Sequence, residues 1–201
     1  MKDYKIKEKE QRKNRVYSVA TKTLWQKGYD KTTIRDIART TDMTTAGLYY
    51  YFKSKEELLF QILDSHMDDL INGIIQIQVD PKEPLGVIRQ YVQYQVSVYC
   101  TDKYRSRLIL NDDECLSGDW YEQIKDKQRK YLLFWRRALS QYCEKEGLPT
   151  DHTAIDAHCL IGMCNWIYRW YDPQGEVKPE DLASRIFETF IFGLSRKGSV
   201  R

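Results

Sequence analysis

Three consecutive tyrosines, Tyr49, Tyr50 and Tyr51, lie in the stretch TTAGLYYYFKSKEELL, between a run of small residues and two lysines. Tyrosine hydroxyls and lysine ammonium groups bind phosphate oxygens, and aromatic rings pack on sugars or on the methyl group of thymine. Successive residues of a helix point about 100° apart, so three adjacent tyrosines cannot share one buried face. These residue types therefore predict contacts with the backbone and bases of a nucleic acid.

Two short helices are predicted around these tyrosines. The first covers Thr33–Thr40, where Asp36 can complete a capping box with Thr33, and the second covers Thr44–Tyr51. This is helix-turn-helix spacing, in which the second helix enters the major groove and the first braces it across the backbone. Asp42 is then expected to adopt the left-handed conformation within the turn.

Residue size and polarity predict which side of the second helix faces DNA. Its first residues are small, so its N-terminus can approach base edges closely. Leu48 and Phe52 are four residues apart and face the core, which leaves Tyr49 and Tyr50 pointing outward, while Tyr51 turns back toward the core. The predicted DNA contacts are Thr33, Arg35, Thr44, Thr45, Ala46, Gly47, Tyr49, Tyr50, Lys53 and Lys55.

A further helix is predicted to begin immediately after the tyrosines. Ser54 can cap this helix, and Glu57 can complete a second capping box. The free backbone N–H groups at its start would bind phosphate together with Lys53 and Lys55.

The charge of the chain is unevenly distributed. The net charge is +3, yet the residues up to Lys55 carry fourteen Lys and Arg against six acids, which leaves the remainder acidic. A basic segment on an acidic body favours a polyanionic partner. A solvated, lysine-rich terminus accounts for the first fifteen residues nearly as well, but it does not account for the residues that follow.

The stretch TTIRDIARTTDMTTAGLYYYFKSKEELL, with the helix before it, resembles the DNA-binding domain of the TetR family of bacterial repressors. The chain has Thr45 where many members carry a basic residue, and Asp42 where many have glycine. The resemblance implies a two-domain helical homodimer that binds a palindromic operator. It also implies release of the operator when a small molecule enters the larger domain.

Periodicity beyond the tyrosines predicts helices almost throughout. Long helices are expected at about 84–101, 103–115, 118–146, 151–171 and 179–196, and no alternating strand pattern occurs. The predicted fold class is all-α, with a three-helix helix-turn-helix DNA-binding domain at residues 1–54. Residues 55–201 are predicted to form a larger helical domain for ligand binding and dimerisation.

The last two predicted helices carry more apolar surface than one core requires. One stripe contains Ile155, Cys159, Met163, Trp166 and Trp170. The final helix is apolar over more than half of its circumference, through Leu182, Ala183, Ile186, Phe187, Phe190, Ile191 and Leu194. A helix of this kind is covered on two sides, which favours a homodimer through these two helices. The alternative is a large monomeric core.

The ligand-binding residues are predicted from two sources. Aromatic and amide side chains at Tyr94, Gln95, Tyr131 and Trp135 suit a large, mainly apolar ligand, although such residues also occur as ordinary core. The segment GMCNWIYRWYDPQGEVKPEDLA resembles the TetR branch that senses acyl-CoA thioesters. That resemblance implies that Asn165, Trp166 and Arg169 contact the ligand, with the alternative that Asn165 and Arg169 form a surface pair.

Other function classes are disfavoured. The chain contains no Gly-x-Ser-x-Gly, no His-Glu-x-x-His and no phosphate loop, and the acids of NDDECLSGD are expected to face solvent, so an enzyme is not predicted. The five cysteines and three histidines have no metal-site spacing, so we expect reduced core thiols and neither metal nor cofactor.

The remaining expectations concern location and control. No secretory signal and no apolar run of about 20 residues occurs, which predicts a soluble, cytoplasmic protein with no membrane partner. Two alternatives keep the DNA-binding domain: a TetR-like protein without an inducer, which organises chromosomes or responds to protein partners, and a multidrug-type sensor.

Overall fold

The computed structural model describes residues 2–78, 80 and 82–195, with side chains described for residues 11–78, 80 and 82–193. Within this part of the chain every regular element is a helix, which confirms the predicted all-α class. The helices are α1 (Lys2–Lys27), α2 (Ile34–Thr41), α3 (Thr45–Leu48), α4 (Lys55–Gln76), α5 (Pro84–Thr101), α6 (Lys103–Asn111), α7 (Gly118–Lys145), α8 (Thr153–Asn165), α9 (Ile167–Trp170) and α10 (Pro179–Ser195).

Two predicted helices are interrupted. The helix expected at 103–115 ends at Asn111 and is followed by a 3-10 turn at Asp113–Cys115. The helix expected at 151–171 breaks between α8 and α9, where the N–H of Arg169 donates to the carbonyl of Trp166, only three residues back, at 3.1 Å. An i→i+3 bond tightens the helix locally and interrupts the regular ladder.

The chain divides into two compact units. The head unit contains the residues up to His66 together with Arg107–Ile124, and the body unit contains Met67–Ser106 and the chain from Lys125 onward. Helices α4 and α7 contribute residues to both units.

The core of the head unit forms around α1. Its buried positions recur at helical spacing, and α1 ends where Gly28 adopts a positive φ of 81°. Buried apolar side chains from the other helices of the unit complete the core, which includes Val16, Ala20, Leu24, Ile37, Ala38, Leu48, Phe52, Leu58, Leu59 and Ile62. The side chains of Lys2, Lys5, Lys7 and Lys9, which add to the predicted basic charge, lie outside the described residues.

The core of the body unit is centred on α5 and α10. Each of these helices contributes five or more buried apolar side chains, among them Val87, Ile88, Val92, Val96 and Tyr99 from α5 and Leu182, Ala183, Ile186, Phe187 and Ile191 from α10. The guanidinium of Arg89 lies 4.1 Å from the centre of the Phe187 ring. The opposite side of α10 is open in the single chain, because Phe192 is exposed and Phe190 is half-buried. The side chain of Leu194 lies outside the described residues.

No helix in the described part of the chain is long and apolar enough to cross a membrane.

Candidate nucleic-acid interface and effector site

Helix α2 begins with the predicted capping box. The backbone N–H of Thr33 donates to Asp36 Oδ2 at 3.0 Å, and the N–H of Asp36 donates to Thr33 Oγ1 at 3.2 Å. The other carboxylate oxygen accepts bonds from Lys27 Nζ at 2.5 Å and from Arg39 at 3.0 Å. The hydrogen bond from Lys27, followed by those from Thr33, holds the pKa of Asp36 well below its ordinary value. Asp36 is therefore a charged carboxylate that stabilises the start of α2.

The turn after α2 has the predicted left-handed residue. Asp42 has φ 55° and ψ 42°, and it is the one described non-glycine residue with positive φ. The N–H of Met43 donates to the carbonyl of Ala38 at 2.9 Å, which closes the helix end. Aspartate tolerates this conformation better than most residues, so glycine is not required here.

Helix α3 is shorter than predicted. Thr44 caps it, accepting the N–H of Gly47 at 3.0 Å, but the helix ends at Leu48 rather than at Tyr51. The N–H of Tyr51 donates to the carbonyl of Leu48 at 2.8 Å, and this tight turn brings Phe52 into the core, where both it and Leu48 are buried. The start of α3 is closely packed, because a Cβ on Gly47 would lie 3.2 Å from Met43 Cε.

The tyrosines lie in the turn that follows α3. Tyr49 and Tyr50 are 53% and 67% exposed, in agreement with the outward orientation that the sequence predicts. Tyr51 is half-buried, and its carbonyl accepts a hydrogen bond from the Tyr17 hydroxyl at 3.2 Å. Thr33, Arg35, Thr44, Thr45 and Ala46 are exposed as well. The structure thus leaves a polar surface of small residues and two tyrosines around the helix-turn-helix.

The start of α4 differs from the prediction in two ways. Ser54 Oγ accepts the N–H of Glu57 at 2.9 Å, but the Glu57 carboxylate accepts the N–H of Lys53 at 2.5 Å instead of that of Ser54. Lys53 is exposed. Lys55 Nζ instead donates to the carbonyl of Tyr29 at 2.8 Å and lies 4.0 Å from the centre of the Tyr29 ring. Lys55, predicted to contact phosphate, is therefore held inside the head unit.

A hydrogen-bonded chain joins three predicted ligand residues in the body unit. The Tyr131 hydroxyl donates to Gln95 Oε1 at 2.7 Å, and Gln95 Nε2 donates to Asn165 Oδ1 at 2.6 Å. Gln95, Tyr131 and Trp135 are buried, and burial raises the pKa of Tyr131 well above its ordinary value. The rings of Tyr131 and Trp135 pack edge to face, with centroids 6.3 Å apart. These two side-chain hydrogen bonds thus connect α7, α5 and α8.

Two other predicted ligand residues, Trp166 and Arg169, take no part in the hydrogen bonds that connect Tyr131, Gln95 and Asn165. Trp166 is 60% exposed and Arg169 is also exposed, because Cys164 and Ile167 occupy the buried positions of this segment. The alternative, a surface pair between Asn165 and Arg169, does not form through the amide oxygen of Asn165, which accepts the bond from Gln95.

Tyr94 lies at a groove on the body unit. Its hydroxyl donates to the carbonyl of Asp69 on α4 at 2.7 Å, and burial raises the pKa of that hydroxyl. The groove has a volume of about 410 Å³ and is lined by Ile77, Gln90, Gln93, Tyr94, Ser97, Pro179, Glu180 and Ala183. Its lining contains two amides and one carboxylate but no basic side chain, which distinguishes it from a site built for phosphate.

The acids of NDDECLSGD were predicted to face solvent, and this is wrong for two of them. Asp113 is buried and Asp112 is half-buried, and burial raises the pKa of Asp112. Within the described residues, no group of three or more His, Cys, Asp or Glu side chains is arranged to hold a metal ion.

Two family models match the chain. The model for bacterial regulatory proteins of the tetR family matches residues 16–62, and the model for the tetracyclin repressor-like C-terminal domain matches residues 81–194. The chain belongs to the TetR family. The family resemblance predicted from the sequence is thereby confirmed, and the chain is a TetR-family transcriptional regulator, a class of proteins that are not enzymes.

Known TetR proteins resemble the chain over most of its length. The transcriptional repressor KstR2 of Mycobacterium tuberculosis is 22% identical over 194 residues, which cover 93% of this chain and 94% of the relative. A TetR-family regulator from Bordetella parapertussis is 28% identical with a TM-score of 0.81, over 89% of this chain and 93% of that one. AibR, solved in complex with isovaleryl coenzyme A and operator DNA, is 27% identical with a TM-score of 0.78, over 89% and 97%.

This TetR chain exposes an apolar face on its last helices. Ile155 is 61% exposed, Phe192 is 67% exposed, and Cys159, Trp166 and Trp170 are exposed as well. Four of the five residues of the predicted apolar stripe are thus exposed, two on α8 and two at Trp166 and Trp170, whereas Met163 is half-buried. Cys159 also corrects the expectation of core thiols, and Cys115 is half-buried, whereas Cys100, Cys143 and Cys164 are buried as expected. Burial raises the pKa of Cys100 to about 11 and that of Cys164 to about 12.

Sequence reasoning missed two features of this TetR structure. Arg12 and Arg15 line a concavity beside the helix-turn-helix turn, and Gly73 lies against Tyr94. A glycine inside the amphipathic pattern of LINGII is a recognised signal of close packing, so Gly73 was detectable. The two arginines carried no local signal beyond the general basic charge of the N-terminus.

Proposed function

We propose that this regulator is a repressor that binds a palindromic operator as a homodimer and leaves it when a bulky hydrophobic or acyl-CoA ligand binds the C-terminal domain. In this proposal residues 1–54 bind DNA, and residues 55–201 bind the ligand and form the dimer. The observation that carries DNA binding is the helix-turn-helix itself, whose capped helices leave Tyr49 and Tyr50 exposed beside the start of α3.

Each DNA contact has a physical role in this proposal. Thr33 and Arg35 at the start of α2 contact the phosphate backbone, while Thr44, Thr45, Ala46 and Gly47 bring the start of α3 to the base edges. Tyr49 and Tyr50 contact sugars, phosphates or a thymine methyl group, and Lys53 contacts a phosphate. Lys55 acts indirectly, by holding the Tyr29 carbonyl from within the head unit.

The apolar face on α8, α9 and α10 supports the homodimer. A single chain leaves Ile155, Trp166, Trp170 and Phe192 in water, and a second copy would bury them. A two-fold dimer presents two recognition helices to two half-sites about 34 Å apart, which explains why a palindromic operator suits this chain.

The chain of Tyr131, Gln95 and Asn165 supports a ligand site inside the body unit. A thioester carbonyl offers a hydrogen-bond acceptor that competes for these buried donors, and Trp135 provides an aromatic wall. Arg169, exposed like Trp166, would neutralise an acidic group of the ligand that reaches the surface. AibR, with isovaleryl coenzyme A, supports acyl-CoA as the ligand class.

The groove beside Tyr94 favours a second candidate, a multidrug-type sensor. Glu180 is the one charged side chain in its lining, and Gln90 and Gln93 offer neutral hydrogen bonds. Such a groove accepts a neutral or cationic amphipathic molecule and disfavours the phosphates of coenzyme A.

An operator-release experiment separates these candidates. An operator is first selected from random duplexes, and its complex is then titrated with isovaleryl-CoA, a long-chain acyl-CoA, free coenzyme A and rhodamine 6G. An acyl-CoA regulator releases the duplex with the thioesters alone, and a ligand at about one hundred times its Kd adds close to 3 kcal/mol of stability. Release by rhodamine 6G alone supports the multidrug sensor. Absence of release and of thermal stabilisation with every compound contradicts both.

A further inference from the structure

One face of α1 changes from apolar to basic as it leaves the core. Arg12, Arg15, Val16 and Val19 stand at positions i, i+3, i+4 and i+7, so they share this face. Val16 is buried and Val19 is half-buried, whereas Arg12 and Arg15 are exposed. Since α1 starts at Lys2, the helix continues well past the core of the head unit. Its basic part cannot be an extension of that core.

The basic face borders a concavity of about 260 Å³ beside the turn of the helix-turn-helix. Its lining combines Arg12, Arg15, Val16 and Val19 of α1 with Thr40, Thr41, Asp42 and Met43. The threonine hydroxyls are used locally: Thr41 Oγ1 donates to the carbonyl of Ile37 at 2.8 Å, and Thr40 Oγ1 to that of Asp36 at 3.1 Å. No described side chain forms an ion pair with Arg12 or Arg15. The two guanidinium groups are therefore the charged donors of the concavity, and they outnumber the single carboxylate of its lining, that of Asp42.

The position of this concavity, next to the turn of the helix-turn-helix, favours a DNA phosphate as its ligand. The turn leads directly into Thr44, the cap of α3, and the start of a recognition helix lies at the base edges of the major groove. A phosphate strand borders that groove, so in the proposed operator complex a basic concavity next to the turn would lie beside that strand. The forked guanidinium group of arginine donates two parallel hydrogen bonds to phosphate oxygens. A neutral or apolar partner would leave these charged donors without an acceptor.

We propose that Arg12 and Arg15 form a phosphate-binding site on α1 that contacts the DNA backbone flanking each half-site. This inference rests on the proposed operator binding and adds contacts outside the helix-turn-helix. The sequence places Lys9 and Lys5 three and seven residues before Arg12, so the basic pattern continues toward the N-terminus. Their side chains lie outside the described residues. The site adds affinity without base specificity, because phosphates carry no sequence information.

The test is the salt dependence of operator binding by the full-length R12A/R15A variant. Each phosphate that the protein neutralises contributes about 0.9 to the slope of log K against log salt, and the proposed dimer carries one such site at each of its two half-sites, so the double variant should lose about 1.8 from that slope. Its affinity at about 50 mM salt should fall about tenfold to a hundredfold, while its ranking of operators with single base changes stays as in the parent. The variant R12Q/R15Q, which keeps the side-chain length, should show the same lower slope.

The matched control is R136A/R137A, which removes two exposed arginines from α7 in the body unit. This variant should keep the parental slope, and equal losses in both double variants would show a general charge effect and overturn the site. An unchanged slope in R12A/R15A and R12Q/R15Q, or an altered ranking of operators, would overturn it as well. A parent protein that prefers no duplex would instead contradict the proposed function, so the two failures are distinguishable.

Discussion

The ring of Tyr94 occupies the space that a side chain on Gly73 would need. A Cβ built on Gly73 would lie 2.0 Å from both Cζ and Oη of Tyr94, far inside van der Waals contact. The same hydroxyl donates to the carbonyl of Asp69, four residues earlier on α4. The absence of one methyl group thus sets how closely α4 and α5 approach within the body unit.

Gly73→Ala should therefore destabilise the protein. Overpacking costs about 1–3 kcal/mol, and the better helix propensity of alanine offsets up to about 1 kcal/mol of that cost. The free energy of unfolding, measured in urea, should fall by about 1–2 kcal/mol. The control is Gly86→Ala, where a Cβ meets only Glu83 Cβ at 3.9 Å. In a Tyr94→Ala background the Gly73→Ala cost should vanish, and a cost that persists there would contradict the steric explanation.

Stability in acid should depend on Asp36. Its pKa is lowered in the folded protein, first by the hydrogen bond from Lys27, so the charged group stabilises the fold above its ordinary pKa of 3.8. This contribution is lost as pH falls through the lowered pKa. Asp36→Asn should lower the melting temperature at pH 7 and reduce its fall between neutral and strongly acidic pH. Glu144→Gln, at an exposed position of α7, should leave the pH profile parallel to that of the parent. A parallel profile for Asp36→Asn would be evidence against this role.

Tyr50→Ala should weaken operator binding while the dimer stays intact. Removal of an exposed aromatic contact to the DNA should cost about 1–2 kcal/mol, or roughly tenfold in Kd. Fluorescence anisotropy with a labelled operator measures the loss, and sedimentation confirms the oligomeric state. Tyr50→Phe separates the hydroxyl from the ring. An unchanged footprint for Tyr50→Ala would refute the assignment of this residue to the DNA surface.

Charge on the apolar face should separate the proposed dimer. Ile155→Asp and Phe192→Asp would each bury an unpaired carboxylate between two copies, at a cost of several kcal/mol. Analytical ultracentrifugation should show monomers at concentrations where the parent is dimeric, and operator affinity should fall with them. Leu133→Asp introduces the same charge at an exposed leucine of α7 and serves as the control. Dimers that persist in both variants would place the interface elsewhere.

Arg169→Ala should leave operator binding intact and blunt release by an acyl-CoA. The exposed guanidinium is available to the acidic part of such a ligand, whereas the proposed DNA contacts lie in the head unit. The concentration of isovaleryl-CoA that releases half of the operator should rise about tenfold. Equal release by parent and variant would count against a role for Arg169 in ligand binding.

Local sequence was sufficient for features that depend on neighbouring residues. The capping box of Thr33 and Asp36 and the left-handed Asp42 each follow from a few adjacent side chains. The features that were missed depend on distant partners. Lys55 is drawn to Tyr29, 26 residues away, and Gln95 bonds to Asn165, 70 residues away. Neither partner is visible in a short window.

The end of α3 shows the same limit at shorter range. The tyrosines continue a helical pattern, yet the chain turns at Leu48 so that Phe52 can reach the core. Packing against the other helices of the head unit outweighed the local preference to continue the helix.

The position of Cys159 gives the protein a natural chemical reporter. A thiol-specific dye would react readily at this exposed side chain in an isolated subunit and slowly in the proposed dimer, in which a second copy would cover it. Burial raises the pKa of the Cys100, Cys115 and Cys164 thiols, which slows their labelling, and Cys143 is buried. Labelling rates measured over a dilution series would therefore follow the exchange of subunits in the unmodified chain, with and without operator or effector.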